Sequence, residues 1–167
     1  IMLNGQWELA EAGNDRLCEV QVPGSVLSGL YGAGKIEDPF YRTNEDVTRE
    51  LFRKDYEFSR TFVAAEDILK EEKIILVWLD TLADIYINGQ KAGSADNMHR
   101  TWKLDVKEFL HSGENQIRIV FRSVFKYIEA YEYEDNKEIH YVPCGGMKGN
   151  QLIRKAHCMF GWDWGPQ

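Results

Sequence analysis

Apolar and polar side chains alternate along several segments of the chain, as in a strand with one buried face. Residues 55–63 show this pattern, and so do residues 115–124. The positions predicted to point inward are Tyr56, Phe58, Phe62, Ile117, Ile119 and Phe121. Residues 73–80 instead contain an unbroken apolar run rich in β-branched side chains, which predicts a strand buried on both faces.

Residues 83–95 predict a β-hairpin. Ile85 and Ile87 point to one side, and Asn88-Gly89 follows before the chain returns. Asn-Gly favours a type I′ turn because both central residues of that turn need a positive φ. Strands that recur at short intervals with turn signals between them are typical of an antiparallel β-sandwich. We therefore predict an all-β fold.

Helical patterns are few and short. Ser25 is a candidate N-cap for a helix whose apolar stripe begins at Val26, and residues 66–72 predict one or two further turns. Residues 126–136 mix acidic side chains with three tyrosines, and several glycines follow. We interpret this last region as a long loop, and long loops in compact domains are often functional.

The length and net charge of the chain limit its domain number and its possible binding partners. A chain of 167 residues fits one domain and buries about 70% of its unfolded surface, so a core can form without metal or disulfide. The net charge of −7 argues against binding to nucleic acid or to an anionic membrane surface. No apolar run is long enough to span a membrane.

Cys18, Cys144 and Cys158 give an odd number of cysteines, without CxxC spacing. This favours reduced thiols, and with an N-terminus unlike a signal peptide it predicts a cytoplasmic location. A zinc site is the alternative, although its spacing matches no common zinc pattern and we predict no metal or cofactor. Its ligands would be His140, Cys144, His157 and Cys158.

Residues 29–36 nearly match the phosphate-binding pattern G-x-x-x-x-G-K-[ST]. Ile36 stands where a hydroxyl should ligate Mg²⁺, and the following Glu37-Asp38-Pro39 predicts no helix whose amides could hold phosphate. We interpret the segment as a glycine-rich turn. Gly-x-Ser-x-Gly is missing, so acyl transfer has no support, and none of the four scattered histidines forms a recognisable pair with a nucleophile.

The most informative stretch is 160–166, where Trp162 and Trp164 flank Asp163 between two glycines. Indole rings pack on the apolar faces of sugars, and a carboxylate accepts hydrogen bonds from hydroxyls, worth roughly 1.5–3 kcal/mol each. The other interpretation is a pair of core tryptophans with Asp163 capping a turn. The residues themselves leave both interpretations open.

Several segments together resemble the family 2 glycoside hydrolases. Residues 22–42 are similar to the first segment of that family, and 56–62 to its aromatic strand. Residues 79–89 resemble its strand followed by an Asn-Gly hairpin. Arg154-Lys155-Ala156 followed by Phe160-Gly161-Trp162-Asp163-Trp164-Gly165-Pro166 resembles the β-mannosidase branch.

This resemblance implies a jelly-roll β-sandwich of the galactose-binding type. In the family, such a domain precedes an immunoglobulin-like sandwich and a (β/α)₈ barrel that carries both catalytic glutamates. We therefore expect residues 1–167 to be a single N-terminal domain of a larger enzyme, and Asn44-Glu45 not to be an acid/base pair. The implied activity is retaining exo-hydrolysis of terminal β-D-mannose residues.

The resemblance also implies a role in substrate binding. A loop of this domain would reach the sugar, with Asp163 accepting hydrogen bonds from mannose hydroxyls and Trp162 and Trp164 forming the pocket wall. Asn44 resembles a loop asparagine near the same subsite in β-galactosidases, at a spacing one residue longer. The partners implied are a β-mannoside and the immunoglobulin-like and barrel domains. Without the barrel, we expect the loop of residues 162–164 to be exposed or disordered.

Three other functions stay open. The chain could be a free-standing carbohydrate-binding module, which would bind sugar alone. It could belong to a β-galactosidase or a β-glucuronidase, against which the Gly-Trp-Asp-Trp-Gly sequence argues. It could also be a purely architectural sandwich, in which case replacing Asp163 would lower stability but not change substrate selectivity.

Overall fold

The computed structural model describes residues 1–66, 74–135 and 148–160. Its strands are β1 (Gly5–Glu11), β2 (Arg16–Val22), β3 (Tyr56–Ala64), β4 (Ile74–Val77), β5 (Ala83–Ile87), β6 (Gln90–Ala95), β7 (Trp102–Asp105) and β8 (Gly113–Phe121). Its helices are α1 (Val26–Gly32), α2 (Asn44–Leu51) and α3 (Val124–Asp135). Short 3₁₀ turns follow at Asn150–Leu152 and His157–Phe160.

The strands form two antiparallel sheets. One has six strands in the order β2-β1-β3-β8-β5-β6, and the other pairs β4 with β7. The main core combines residues of both, such as Ile85 and Ile117 from the large sheet and Leu104 from β7. A Cβ placed on Gly93 would lie 2.6 Å from Leu104 Cδ2, so β6 and β7 approach closely there. These observations confirm the predicted all-β antiparallel sandwich.

The alternating patterns locate three strands and their buried faces. Tyr56, Phe58, Ile117 and Ile119 are each at most 6% exposed, whereas Phe62 is only partly buried. In the hairpin of β5 and β6, Asn88 has a φ of 48° and Gly89 a φ of 80°, as the Asn-Gly signal predicts.

The carboxamides of Asn88 and Asn115 pin this hairpin to the start of β8. Asn115 is 1% exposed, and its Nδ2 donates to the carbonyls of His111 and Gly113 at 2.8 and 3.0 Å. Its Oδ1 accepts from Asn88 Nδ2 at 2.8 Å and from the His111 amide at 3.0 Å. The Asn88 Oδ1 in turn accepts from the Gln116 amide at 2.8 Å. The turn is thus held by a buried polar network.

The prediction for residues 73–80 is wrong in part. A strand forms, but β4 covers only Ile74–Val77 and belongs to the two-stranded sheet. Ile75 and Val77 are partly buried, and Trp78 is 69% exposed. Ile75 and Val77 pack against the main core, whereas the burial of the side chains on the other face of β4 lies outside the description, so the predicted burial of both faces is untested.

Helix α1 confirms the predicted start at Ser25. The Ser25 hydroxyl accepts from the Ser28 amide at 3.1 Å, and the Ser28 hydroxyl accepts from the Ser25 amide at 2.9 Å. Leu30 is buried, whereas Tyr31 is 51% exposed. The phosphate-loop pattern thus lies at the end of a seven-residue helix and runs into a turn, the reverse of the geometry that binds phosphate.

The interpretation of residues 126–136 as a loop is wrong, because α3 covers Val124–Asp135. Ser123 begins this helix: its carbonyl accepts from the Tyr127 amide at 3.1 Å. Ile128 is 5% exposed and lies in a second apolar cluster. Burial of Ile128 in this cluster stabilises a helix whose sequence is otherwise rich in acidic and polar residues. Residues 67–73, which include most of the other predicted helical turn, lie outside the described ranges.

No helix within the described part of the chain is both long and apolar enough to cross a membrane.

Candidate substrate-binding site

Trp162, Asp163 and Trp164 lie outside the described residues, so the expectation about their exposure is untested. The chain leading to them is described as far as Phe160, which is 3% exposed. The base of the candidate site is therefore the segment 148–160 and the elements that hold it.

A second apolar cluster packs against this segment. It joins Leu82, just before β5, with Ile128 of α3 and with Ile153 and Phe160. Gly149 has a φ of 84°, and a Cβ there would lie 2.4 Å from Ile128 Cγ2. A glycine is needed at this position because the chain turns in the left-handed region while touching α3.

Backbone contacts also attach this segment to the loop between β6 and β7. Asn97 and Arg154 form a parallel β-bridge, and the Met98 amide donates to the Arg154 carbonyl at 3.0 Å. The Ala156 amide lies 3.0 Å from Met98 Sδ. Residues on both sides of Lys155 are thus attached to the loop between β6 and β7.

An ion pair attaches the same segment to the loop between β4 and β5. Lys155 Nζ donates to Asp80 Oδ2, and Asp80 Oδ1 accepts from the Thr81 hydroxyl. The Lys155 side chain is 19% exposed and that of Asp80 31%. Three separate stretches of the chain therefore meet just before residue 161.

The structure places Asn44 in a helix and not in the loop expected for it. Asn44 is the first residue of α2, and its Nδ2 donates to the Asp38 carbonyl at 2.8 Å. The expectation of a loop came from the resemblance, whereas Thr43 is of a type favoured at the N-cap, although its side chain makes no capping hydrogen bond here. Because residues 162–164 are not described, the predicted proximity of Asn44 to them is untested.

Large apolar side chains surround Asn44 in the sequence and are exposed. Phe40 is 73% exposed, Tyr41 58% and Val47 66%. The loop before α2 is ordered by local hydrogen bonds, for example from the Phe40 amide to Asp38 Oδ1 at 2.9 Å. An exposed apolar group on an ordered support is typical of a surface that contacts another protein element.

The candidate zinc site cannot be assembled from the residues that the structure describes. His140 and Cys144 lie outside them, and Cys158 is exposed and free. Cys18 is also free, and burial raises the pKa of its thiol despite the opposing charges of Lys35 and Arg16. Within residues 1–66, 74–135 and 148–160, no three His, Cys, Asp or Glu side chains form a group that could hold a metal ion.

Comparison with known protein families identifies the family of this chain. Residues 7–167 match the family described as the glycosyl hydrolase 2 galactose-binding domain-like domain, and the chain belongs to that family. The probable β-mannosidase of Caenorhabditis elegans is 31% identical over 99% of this chain and 19% of its own length. The β-mannosidase of Mus musculus is 30% identical over 98% of this chain and 19% of its own length.

A solved structure shares the fold closely. The crystal structure of the β-D-mannosidase from Dictyoglomus thermophilum has a TM-score of 0.88 and 33% identity, covering 99% of this chain and 20% of that one. The exo-chitosanase of Amycolatopsis orientalis, at 19% identity and a TM-score of 0.61, shares the fold alone. The chain thus spans about one fifth of the length of the β-mannosidases that it matches.

Sequence reasoning did not find the elements that hold the base of the site. Asp80 and Lys155 stand 75 positions apart, and neither has a local signal that predicts pairing. Ile128 could have been found, because Val124, Ile128 and Tyr131 recur at the spacing of one helix face.

Proposed function

We propose that the chain is the non-catalytic N-terminal domain of a retaining exo-β-mannosidase that hydrolyses terminal β-D-mannose residues. The similarity to β-mannosidases over nearly the whole chain carries this proposal. The immunoglobulin-like and barrel domains would lie in the remaining four fifths of the enzyme. Both catalytic glutamates would then belong to the barrel.

The least exposed carboxylates among the described ion pairs, Asp84 and Glu57, fit a non-catalytic role. Retaining hydrolysis needs two carboxyl groups about 5–5.5 Å apart, one of them protonated at working pH. Asp84 and Glu57 are each 17% exposed, and each is paired with a basic residue. Burial opposes ionisation of Asp84, but hydrogen bonds from Lys91 and Ser94 and nearby positive charge outweigh it and lower the pKa. A lowered pKa is unsuitable for a general acid.

The domain would contribute part of the substrate pocket through residues 162–164. Asp163 would accept hydrogen bonds from two mannose hydroxyls, and Trp162 and Trp164 would close the pocket around the terminal sugar. A closed pocket admits only a chain end, which gives exo-action. Asn44 would approach the same subsite from α2, using the part of its carboxamide not bonded to Asp38.

The exposed side chains around α2 support packing against the rest of the enzyme. Phe40 and Val47 each leave about two thirds or more of their surface in solvent. In the full-length protein we expect Phe40, Tyr41 and Val47 to be covered by the barrel or the immunoglobulin-like domain. This contact would also bring Asn44 close to the active site.

A cytoplasmic location belongs to the same proposal. It is supported by the free thiols of Cys18 and Cys158. Acid quenching of intact cells, alkylation in denaturant so that buried Cys18 reacts, and mass spectrometry should find both thiols reduced; a disulfide at either would contradict this location.

The test is a substrate panel on the full-length enzyme and on the isolated chain. We expect turnover of an aryl β-mannoside by the full-length enzyme and none by the chain alone. Preference for a β-galactoside or β-glucuronide would refute the assigned substrate. Millimolar or tighter binding of β-mannobiose by the isolated chain, measured by calorimetry, would favour a free-standing carbohydrate-binding module.

A further inference from the structure

The chain contains two Asn-Gly sequences, Asn4-Gly5 and Asn88-Gly89. Such sequences deamidate readily in flexible chains, because glycine has no side chain to hinder attack by its amide nitrogen on the asparagine Cγ. The new N–C bond closes a succinimide ring, and Nδ2 leaves as ammonia with the amide proton. Water then opens the ring to aspartate or isoaspartate. In a folded protein the reaction requires a carboxamide that can turn toward the next amide nitrogen.

The Asn88 carboxamide is held by hydrogen bonds at both of its polar atoms. Its Nδ2 donates to the Phe109 carbonyl and to Asn115 Oδ1, each at 2.8 Å. Its Oδ1 accepts from the Gln116 amide, also at 2.8 Å. While these bonds are in place, Cγ cannot turn toward the Gly89 nitrogen. Because all three must break together, the reactive state should be about 10- to 1,000-fold rarer than in an unfolded chain.

The tip of the turn offers no steric protection of its own. Gly89 is exposed, and a Cβ placed on it would find no heavy atom within 4 Å among the described residues outside its immediate neighbours in the chain. Water and base can therefore reach this backbone. The protection of Asn88 depends on its hydrogen bonds, and the side-chain partner among them is Asn115, which is 1% exposed.

Asn4 differs from Asn88 in this respect. It is exposed, and its carboxamide makes no hydrogen bond to any other described residue. Its backbone carbonyl accepts from Arg60 Nη1 at 2.7 Å, which leaves the side chain free to turn. The chain thus carries one Asn-Gly sequence with a fixed carboxamide and one with a free carboxamide.

We propose that Asn88-Gly89 is a latent deamidation site, which the hydrogen bonds to Asn115 and its neighbours keep unreactive, and that reaction there makes an opening of the hairpin permanent. An aspartate at this position has no donor when ionised, so the Phe109 carbonyl and Asn115 Oδ1 would both face a carboxylate. Isoaspartate also adds a carbon to the backbone of a tight turn. Neither product can restore the original contacts.

The first experiment measures deamidation of Asn88 and Asn4 in the full-length enzyme by peptide mapping with mass spectrometry. Samples are incubated in mildly alkaline buffer, either native or in concentrated urea. We expect Asn88 to react at least about tenfold more slowly in the native enzyme than in urea. A native rate within about twofold of the rate in urea would overturn the proposal. This comparison needs no variant, so it holds even if a substitution at Asn115 prevents folding.

Asn115→Ala tests which residue provides the protection. In native buffer it should accelerate deamidation of Asn88 about tenfold or more and leave that of Asn4 unchanged. Ile128→Ala is the matched control, because it removes a buried contact of comparable cost in the second apolar cluster, near the other end of β5. An equal acceleration in Ile128→Ala would mean that Asn88 reacts through global unfolding and would overturn the role of Asn115, as would an unchanged rate in Asn115→Ala.

Asn88→Asp carries one of the two reaction products and tests whether the damage is permanent. Hydrogen exchange at the amides of β5 and β6 should become about tenfold faster or more, since the turn loses two donors and gains a desolvated charge. Asn4→Asp makes the same change at the free carboxamide and should leave these amides as slow as in the parent. Equal exchange in Asn88→Asp and Asn4→Asp would show that the hairpin tolerates the product and would overturn this part of the proposal.

Discussion

Replacing Asn115 by alanine tests whether the buried polar network holds the hairpin. The side chain is 1% exposed and makes four hydrogen bonds, to Asn88, Gly113 and both backbone groups of His111. Alanine removes all four and offers no replacement. Water can replace the lost partner at the His111 and Gly113 carbonyls more easily than at the Asn88 carboxamide. The free energy of unfolding therefore falls by less than the full cost of four unpaired groups.

The magnitude follows from the groups left unpaired. Each buried donor or acceptor that loses its partner costs about 1–3 kcal/mol. If two of the four groups that lose their hydrogen bond to Asn115 remain inaccessible to water, the free energy of unfolding should fall by about 3–4 kcal/mol. With a denaturant slope of about 2 kcal/mol per molar urea, the midpoint should move down by about 1.5–2 M.

The assay is equilibrium urea unfolding of the 167-residue chain, followed by tryptophan fluorescence. Asn14→Ala is the control, because Asn14 is an exposed turn residue between β1 and β2 and should change stability by less than about 0.5 kcal/mol. A loss below about 1.5 kcal/mol for Asn115→Ala, or one no larger than the control's, would refute this account of the hairpin.

Two further predictions concern stability. Burial raises the pKa of Tyr56 to about 12, with a smaller contribution from Glu11. The unfolded chain therefore loses this proton near pH 10, and stability should fall as pH rises from about 10 to 12. Tyr56→Phe should flatten that fall in urea midpoints; an unchanged slope would contradict it. Ser123→Ala removes a hydroxyl that donates to the Phe52 carbonyl at 2.6 Å and accepts from the Lys126 amide at 3.4 Å. It should cost about 1 kcal/mol or more and lower the helix signal in circular dichroism, whereas native stability would show that α3 does not need this cap.

Local patterns were sufficient where neighbours in sequence decide the structure. The hairpin follows from Asn88-Gly89, since only a few residues tolerate positive φ at both positions of the turn. Helix α1 follows from Ser25, whose cap is a contact with Ser28 three residues away. In β3 and β8, alternation alone selects the buried face.

Other elements depend on partners that are distant in sequence. Helix α3 has an acidic, tyrosine-rich sequence, and it is stabilised where Ile128 meets Leu82 and Ile153. The run at residues 73–80 shows that apolar composition does not determine where a strand ends, because Trp78 lies beyond β4 and is 69% exposed. Asp80 and Lys155 resemble ordinary surface charges until the fold brings them together. The resemblance to the β-mannosidase motif drew attention to Lys155 but could not name its partner.

The measurement that tests the central claim most directly is kcat/KM of the full-length enzyme on an aryl β-mannoside, for the parent and for Asp163→Ala. Loss of two hydrogen bonds to a carboxylate predicts a fall of roughly 3–5 kcal/mol in transition-state stabilisation, a hundredfold or more, with an unchanged melting temperature. If Asp163→Ala keeps full activity on the mannoside, the motif has no part in the pocket and the domain is only a scaffold.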